Sequence, residues 1–190
     1  MTRLFHLASR IETQFRNWDW EFCFIGGIAL QRWGEPRVTE DVDITLMTGI
    51  GTEERYIDAL LKAFCPRVGD AKEFALTRRV LLLKSDDGIG IDVAMGALPF
   101  EGDAISRATS FEFLPGLSLT TCSAEDLVVM KAFAERERDW LDVETILIRQ
   151  QGKLDWPYIL EQLTPLAELK ESPAILDRLA KLRAKQEQNG

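Results

Sequence analysis

Leu4, Leu7, Ala8, Ile11 and Phe15 recur at helical spacing through residues 2–17, which predicts an amphipathic opening helix. The period then changes. EFCFIGG (21–27) reads as a short buried strand ending on glycines, and IALQRWG (28–34) as a short helix closed by Gly34, with GEPR as the turn after it. Acidic and apolar residues alternate in EDVDITLM (40–47), the pattern of a strand with one polar face. TEERYIDALLKAF (52–64) predicts a helix with Thr52 as N-cap and an end before Pro66. RRVLLLKSDDGIGIDVAMG (78–96) predicts two strands joined at Asp86-Asp87-Gly88. FLPGLSLTTCS (113–123) predicts a turn at Pro115-Gly116 and one more strand.

From Ser123 the pattern is helical almost to the end. Ser123 and Asp126 have capping-box spacing, with Asp in place of the usual Glu or Gln. Helices are expected over 124–135, 139–150, 156–169 and 173–186, with breaks marked by Gly152, Pro157 and Pro173. The last one gathers Ile175, Leu176, Leu179 and Leu182 on one side and also carries Arg178, Lys181, Arg183 and Lys185. The expected fold is α+β: a mixed sheet covered by helices over 1–122, with a helical region, 123–190, packed on that core.

Composition narrows the chemistry. A hydrophobic fraction of 46% supports a sizeable core, and a net charge of −8 argues against a generic phosphate-binding surface. Small nucleotides carried with a metal ion remain open, since the metal supplies the missing positive charge. Cys23, Cys65 and Cys122 are odd in number, widely spaced and form no CxxC pair, so buried thiols in a reducing cytoplasm are expected. His6 is the single histidine, which leaves no material for a catalytic triad or a His-rich zinc site. The N-terminus has no signal-peptide core and no apolar run reaches membrane-spanning length, so a soluble cytoplasmic protein is expected.

Four features bear on function. Gly26 and Gly27, between a strand and a helix, allow close backbone approach to a ligand or serve as an ordinary turn. Asp41 and Asp43 share one strand face about 6–7 Å apart. Two carboxylates so placed either face solvent on an edge strand or form a platform for Mg²⁺, which takes oxygen ligands. Asp92 stands on the face opposite Ile89, Ile91, Val93 and Met95, and a neighbouring strand can bring it beside the pair. Lys131 lies on a mostly apolar helix and either snorkels to solvent or reaches inward to triphosphate oxygens. In the charged elbow after it, Asp139 reads as an N-cap with Asp142 at N3, a structural part for both.

Together these residues resemble the nucleotidyltransferase superfamily related to DNA polymerase β: strand, Gly-Gly, short helix, D-x-D, then an acid on a later strand. GGIALQRWGEPRVTEDVD and IDV (91–93) carry that pattern. Lys131 followed by Arg138-Asp139-Trp140-Leu141-Asp142 is similar to the Lys and R-D-x-x-D helix of AbiEii-like and MenT-like toxins. The resemblance spans roughly residues 20–150. It implies Mg²⁺-dependent transfer of a nucleoside monophosphate from an NTP such as ATP to an acceptor hydroxyl on tRNA or protein, with an antitoxin protein as partner. By that resemblance Asp41 and Asp43 ligate the metal, and Asp92 completes the site and helps deprotonate the acceptor. Gly26 and Gly27 would cradle phosphates with Lys131 on the β/γ end, and Arg37 is either a further phosphate contact or a surface residue. Two other readings stay open: an antibiotic-modifying nucleotidyltransferase, whose cationic acceptor suits an acidic chain, and a catalytically silent binding or antitoxin module of the same fold.

Overall fold

The computed structural model describes residues 1–189; Gly190, the end of the expected helical region, lies outside the described residues. The chain divides into two compact units, 1–28 with 38–122 and 29–37 with 123–190.

The first unit is built on one mixed seven-stranded sheet. Its strands are β1 (Phe22–Phe24), β2 (Asp41–Met47), β3 (Cys65–Pro66), β4 (Val80–Lys84), β5 (Gly90–Gly96), β6 (Thr109–Leu114) and β7 (Leu117–Thr121). They lie in the order β3-β4-β5-β2-β1-β7-β6, with β2 parallel to β5 and β1 parallel to β7, and the other pairings antiparallel. Val42, Ile44 and Leu46 of β2, Ile91, Val93 and Met95 of β5, and Leu81 and Leu83 of β4 point to one face and are buried. The period-2 alternation of the sequence is what assigns these residues to a single face.

That face is covered by α1 (Thr2–Asn17) and α3 (Glu53–Ala63), with α4 (Ala71–Arg78) joining the same core. Leu4, Leu7, Ala8, Ile11 and Phe15 of α1 are all buried, as their spacing requires. Tyr56, Ile57 and Leu60 do the same for α3. Each fully buried large side chain, such as Phe15, Phe24 or Ile57, contributes about 1.5–3 kcal/mol relative to exposure. Helix α5 (Pro99–Ser106) follows β5; the Glu101 carboxylate reaches back to accept from the Ala97 and Leu98 N–H groups just before the helix, at 2.7 and 2.8 Å.

Helix α2 (Gly26–Trp33) starts in the first unit and ends in the second, and begins two residues earlier than the expected start at residue 28. The second unit continues with α6 (Ala124–Ala134), α7 (Glu137–Gln150), α8 (Trp156–Leu169) and α9 (Ala174–Asn189). The Ser123 hydroxyl accepts from the Asp126 N–H at 3.1 Å and the Asp126 carboxylate accepts in return, so the capping box forms with Asp in the Glu position. The basic side of α9 is largely occupied: Arg178 pairs with Glu137, Lys185 with Glu144 and Arg183 with Glu187. Its apolar residues Ile175 and Leu179 are buried.

Several expectations are corrected. Cys23 and Cys122 are buried thiols, but Cys65 on the two-residue edge strand β3 is exposed. Residues 109–114, beyond the expected strand, form β6 and make a hairpin with β7. Asp139 does not cap α7: the helix begins one residue after Arg136, so Asp139 sits inside its first turn. Among the described residues no helix is long and apolar enough to cross a membrane.

Candidate active site

Asp41 and Asp43 leave the sheet on the face opposite the apolar core. Parallel pairing sets Asp43 beside Asp92 and Asp41 beside Gly90, so all three acids share that face. The flanking Val42, Ile44, Ile91 and Val93 are anchored in the core, and a one-residue slip would bury the acids instead. Register is therefore the feature that assembles the site.

Each carboxylate lies over a glycine or against a cation. The Asp43 carboxylate accepts from the Gly27 N–H at 3.3 Å, and the Asp43 carbonyl accepts from the Ile25 N–H at 3.0 Å. A Cβ on Gly26 would fall within the Asp43 carboxylate, and Gly26 also has φ +55°. At Gly27 a Cβ would strike the Thr39 hydroxyl, which in turn donates to the Asp41 carbonyl at 3.3 Å. The diglycine thus first makes room for Asp43 and Thr39, with an anionic carboxylate at the positive end of α2. Across the sheet, Gly90 leaves space for the Asp41 carboxylate, where a Cβ would overlap it.

Arg67, just after β3, closes the group. Its guanidinium forms an ion pair with Asp92 and lies 3.6 Å from the Asp41 carboxylate. Burial pushes the Asp92 carboxyl above the ordinary carboxylate range; Arg67 opposes that shift and the Asp41 charge adds to it. The donors are all hard oxygens, which fits Mg²⁺. They do not converge as they stand: among the described residues no three acidic, His or Cys side chains are gathered closely enough to hold an ion. The carboxylates are divided between the start of α2 and Arg67.

Lys131 and Arg37 both meet Asp142. The Lys131 ammonium is buried and donates to Asp142 at 2.6 Å and Asp139 at 3.1 Å. Arg37 holds the same carboxylate through two donors, at 2.9 and 2.7 Å. Burial alone would raise the Asp142 carboxyl, but the hydrogen bonds from Arg37 and Lys131 outweigh it and hold the group below its ordinary range. Lys131 does not snorkel, and Arg37 is not a bare surface arginine. R-D-x-x-D places its two acids three residues apart, on one face of α7, where one ammonium reaches both.

Sequence reasoning missed Arg67, Thr39 and Gly90. A glycine two residues before Asp92 on a strand signals close approach of another group and was legible for Gly90. Arg67 meets Asp92 across 25 residues and had no local signal.

Acids in register on adjacent parallel strands, with a Gly-Gly helix start beside them, agree with the class that the family match gives this chain, a nucleotidyltransferase. Residues 13–163 match the model of the nucleotidyl transferase AbiEii toxins of type IV toxin–antitoxin systems, and the chain belongs to that family. No curated protein matches it. The fold is similar to an antigenic nucleotidyltransferase-like protein from Paracoccidioides brasiliensis, with a TM-score of 0.52, 16% identity, and coverage of 93% of this chain and 92% of that one. It is also similar to the antibiotic-resistance factor ANT(2'')-Ia, with a TM-score of 0.51, 15% identity, and coverage of 99% and 93%.

Proposed function

We propose that the protein transfers a nucleoside monophosphate from an NTP to an acceptor hydroxyl, on tRNA or on a protein, as the toxin of a toxin–antitoxin pair. The observation that carries the reading is the register of β2 and β5, which sets Asp43 beside Asp92 and Asp41 two residues along the same face. Asp41, Asp43 and Asp92 would hold Mg²⁺. When bound, the ion supplies Lewis-acid stabilisation of the charge developing on the phosphoryl oxygens. The acceptor oxygen attacks the α-phosphorus, the bond to pyrophosphate breaks, and Asp92 receives the acceptor proton. N–H groups of the first turn of α2 beyond Gly27 are available in this reading to phosphate oxygens. Lys131 and Arg37 enter it as the pair that fixes Asp142.

The test is incubation of the purified protein with Mg²⁺, each α-labelled NTP in turn including ATP, and total tRNA or cell protein. Label should pass to one acceptor pool, and Asp41→Ala with Asp43→Ala should abolish transfer. No transfer from any NTP, with the variant indistinguishable from wild type, would overturn the proposal.

The net charge of −8 favours a second reading, in which the acceptor is a small cationic molecule such as an aminoglycoside. Expression in a sensitive host separates the two: growth arrest relieved by a cognate antitoxin supports the toxin, and drug resistance without arrest supports the second. A catalytically silent module would show neither, and no stabilisation by NTP with Mg²⁺.

A further inference from the structure

We infer that Arg67 is a stand-in cation: its guanidinium keeps Asp41 and Asp92 together before a divalent ion arrives, and it must leave for that ion to bind. The inference rests on the metal-platform reading of the three acids. Its own observation is the position of Arg67, paired with Asp92 and 3.6 Å from Asp41. These carboxylates lie on adjacent strands and repel one another, and a positive group between them relieves that repulsion.

A divalent ion held between Asp41 and Asp92 would stand beside the guanidinium that already bridges one oxygen of each, and two cations so close repel one another. Arg67 is also built to move without disturbing the sheet. Its backbone N–H is fixed to the Leu82 carbonyl at 2.9 Å, which ties the residue to β4. Its side chain is 30% exposed and extends from an edge position, so the guanidinium can turn out to solvent while the main chain stays paired. An arginine cannot give up its charge, so exchange must occur by displacement rather than deprotonation. Metal binding at this site is therefore a competition, weaker than the acids alone would allow.

Titration of Mn²⁺ into the nucleotide-free full chain, with free ion followed by electron paramagnetic resonance, tests this in wild type, Arg67→Gln and Arg67→Lys. Arg67→Gln should bind Mn²⁺ about fivefold more tightly, the ratio expected for loss of one partly exposed ion pair. In EDTA it should melt below wild type, and Mn²⁺ should raise its melting temperature by more. Arg67→Lys, which keeps the charge, should bind close to wild type. Equal or weaker Mn²⁺ binding by Arg67→Gln, or tight binding by both variants, overturns the inference while leaving the metal platform intact. Absence of Mn²⁺ binding in all three proteins removes the platform and the inference together.

Discussion

Gly90 and Asp41 stand opposite each other on β5 and β2, and the Asp41 carboxylate occupies the space a side chain at position 90 would need. Gly90 has no left-handed backbone, so substitution there acts through the collision alone. Gly90→Ala should turn the Asp41 carboxylate away and lower nucleotidyl transfer about tenfold or more. Melting temperature should fall by only about 2–4 °C, for a loss near 1 kcal/mol. Gly26→Ala meets both a collision with Asp43 and a φ of +55°, which costs a further 1–2 kcal/mol or so. It should therefore be the less stable of the two by differential scanning calorimetry.

Asp92 should oppose stability where it serves chemistry. Its folded carboxyl lies above the unfolded value, because of burial and of Asp41. The folded protein then holds the proton more tightly than the unfolded chain. The stabilisation from protonation is present below the ordinary carboxylate range and is lost as pH rises through the raised folded value. In EDTA, Asp92→Asn should match wild type at low pH and melt higher at pH 7, by about 2–4 °C per kcal/mol relieved. It should transfer no nucleotide. Calorimetry across pH 4–8 checks the first outcome and the labelling assay the second.

Lys131 is the opposite case. Its ammonium neutralises two buried acids, so Lys131→Met leaves Asp139 and Asp142 charged with one cation fewer. Breaking a buried pair from one side costs about 3–5 kcal/mol. That corresponds to a fall of about 6–20 °C in melting temperature for a chain of this size. Adding Asp139→Asn to Lys131→Met should recover part of the loss.

Arg37 and Lys131 together hold the Asp142 carboxyl low against its own burial. A depressed folded value gives stability that is present above the ordinary carboxylate range and lost as pH falls through the folded value. Arg37→Gln removes one of the two cations that hold this carboxylate. Its acid-unfolding midpoint, followed by circular dichroism, should move to higher pH, with little change in midpoint when Asp142→Asn is already present.

Much of the fold was legible because its largest elements have clean periods. Asp41, Asp43 and Asp92 alternate with core residues, so their shared face followed from the sequence, as did α1 and the Ser123–Asp126 box. What escaped was short or decided at a distance. Helix α4 buries only Ala71 and Ala75 and ends on left-handed Arg79 rather than glycine, so it had neither an apolar stripe nor a stop signal. The six residues of β6 are exposed or only partly buried, which erased the alternation that marks a half-buried strand. Asp139 looked like a cap because Asp is common there; its actual task depends on Lys131, eight residues away on another helix. Arg67 belongs to the same class: its partners are supplied by strand order, which no local window contains.

The short segment 29–37 has a consequence for how the gene can be cut. It belongs to the helical unit, where the Gly34 carbonyl accepts from Arg149, the Trp33 carbonyl from Gln150, and Arg37 pairs with Asp142. The polypeptide thus enters that unit, returns to the sheet, and enters it again. A stop codon after residue 122 would not yield one finished domain minus another. It would strand a nine-residue piece without the helices that hold it, and the helices alone would lack their first strip of chain. A donor sequence could replace the region after residue 122 only if it brought its own version of residues 29–37.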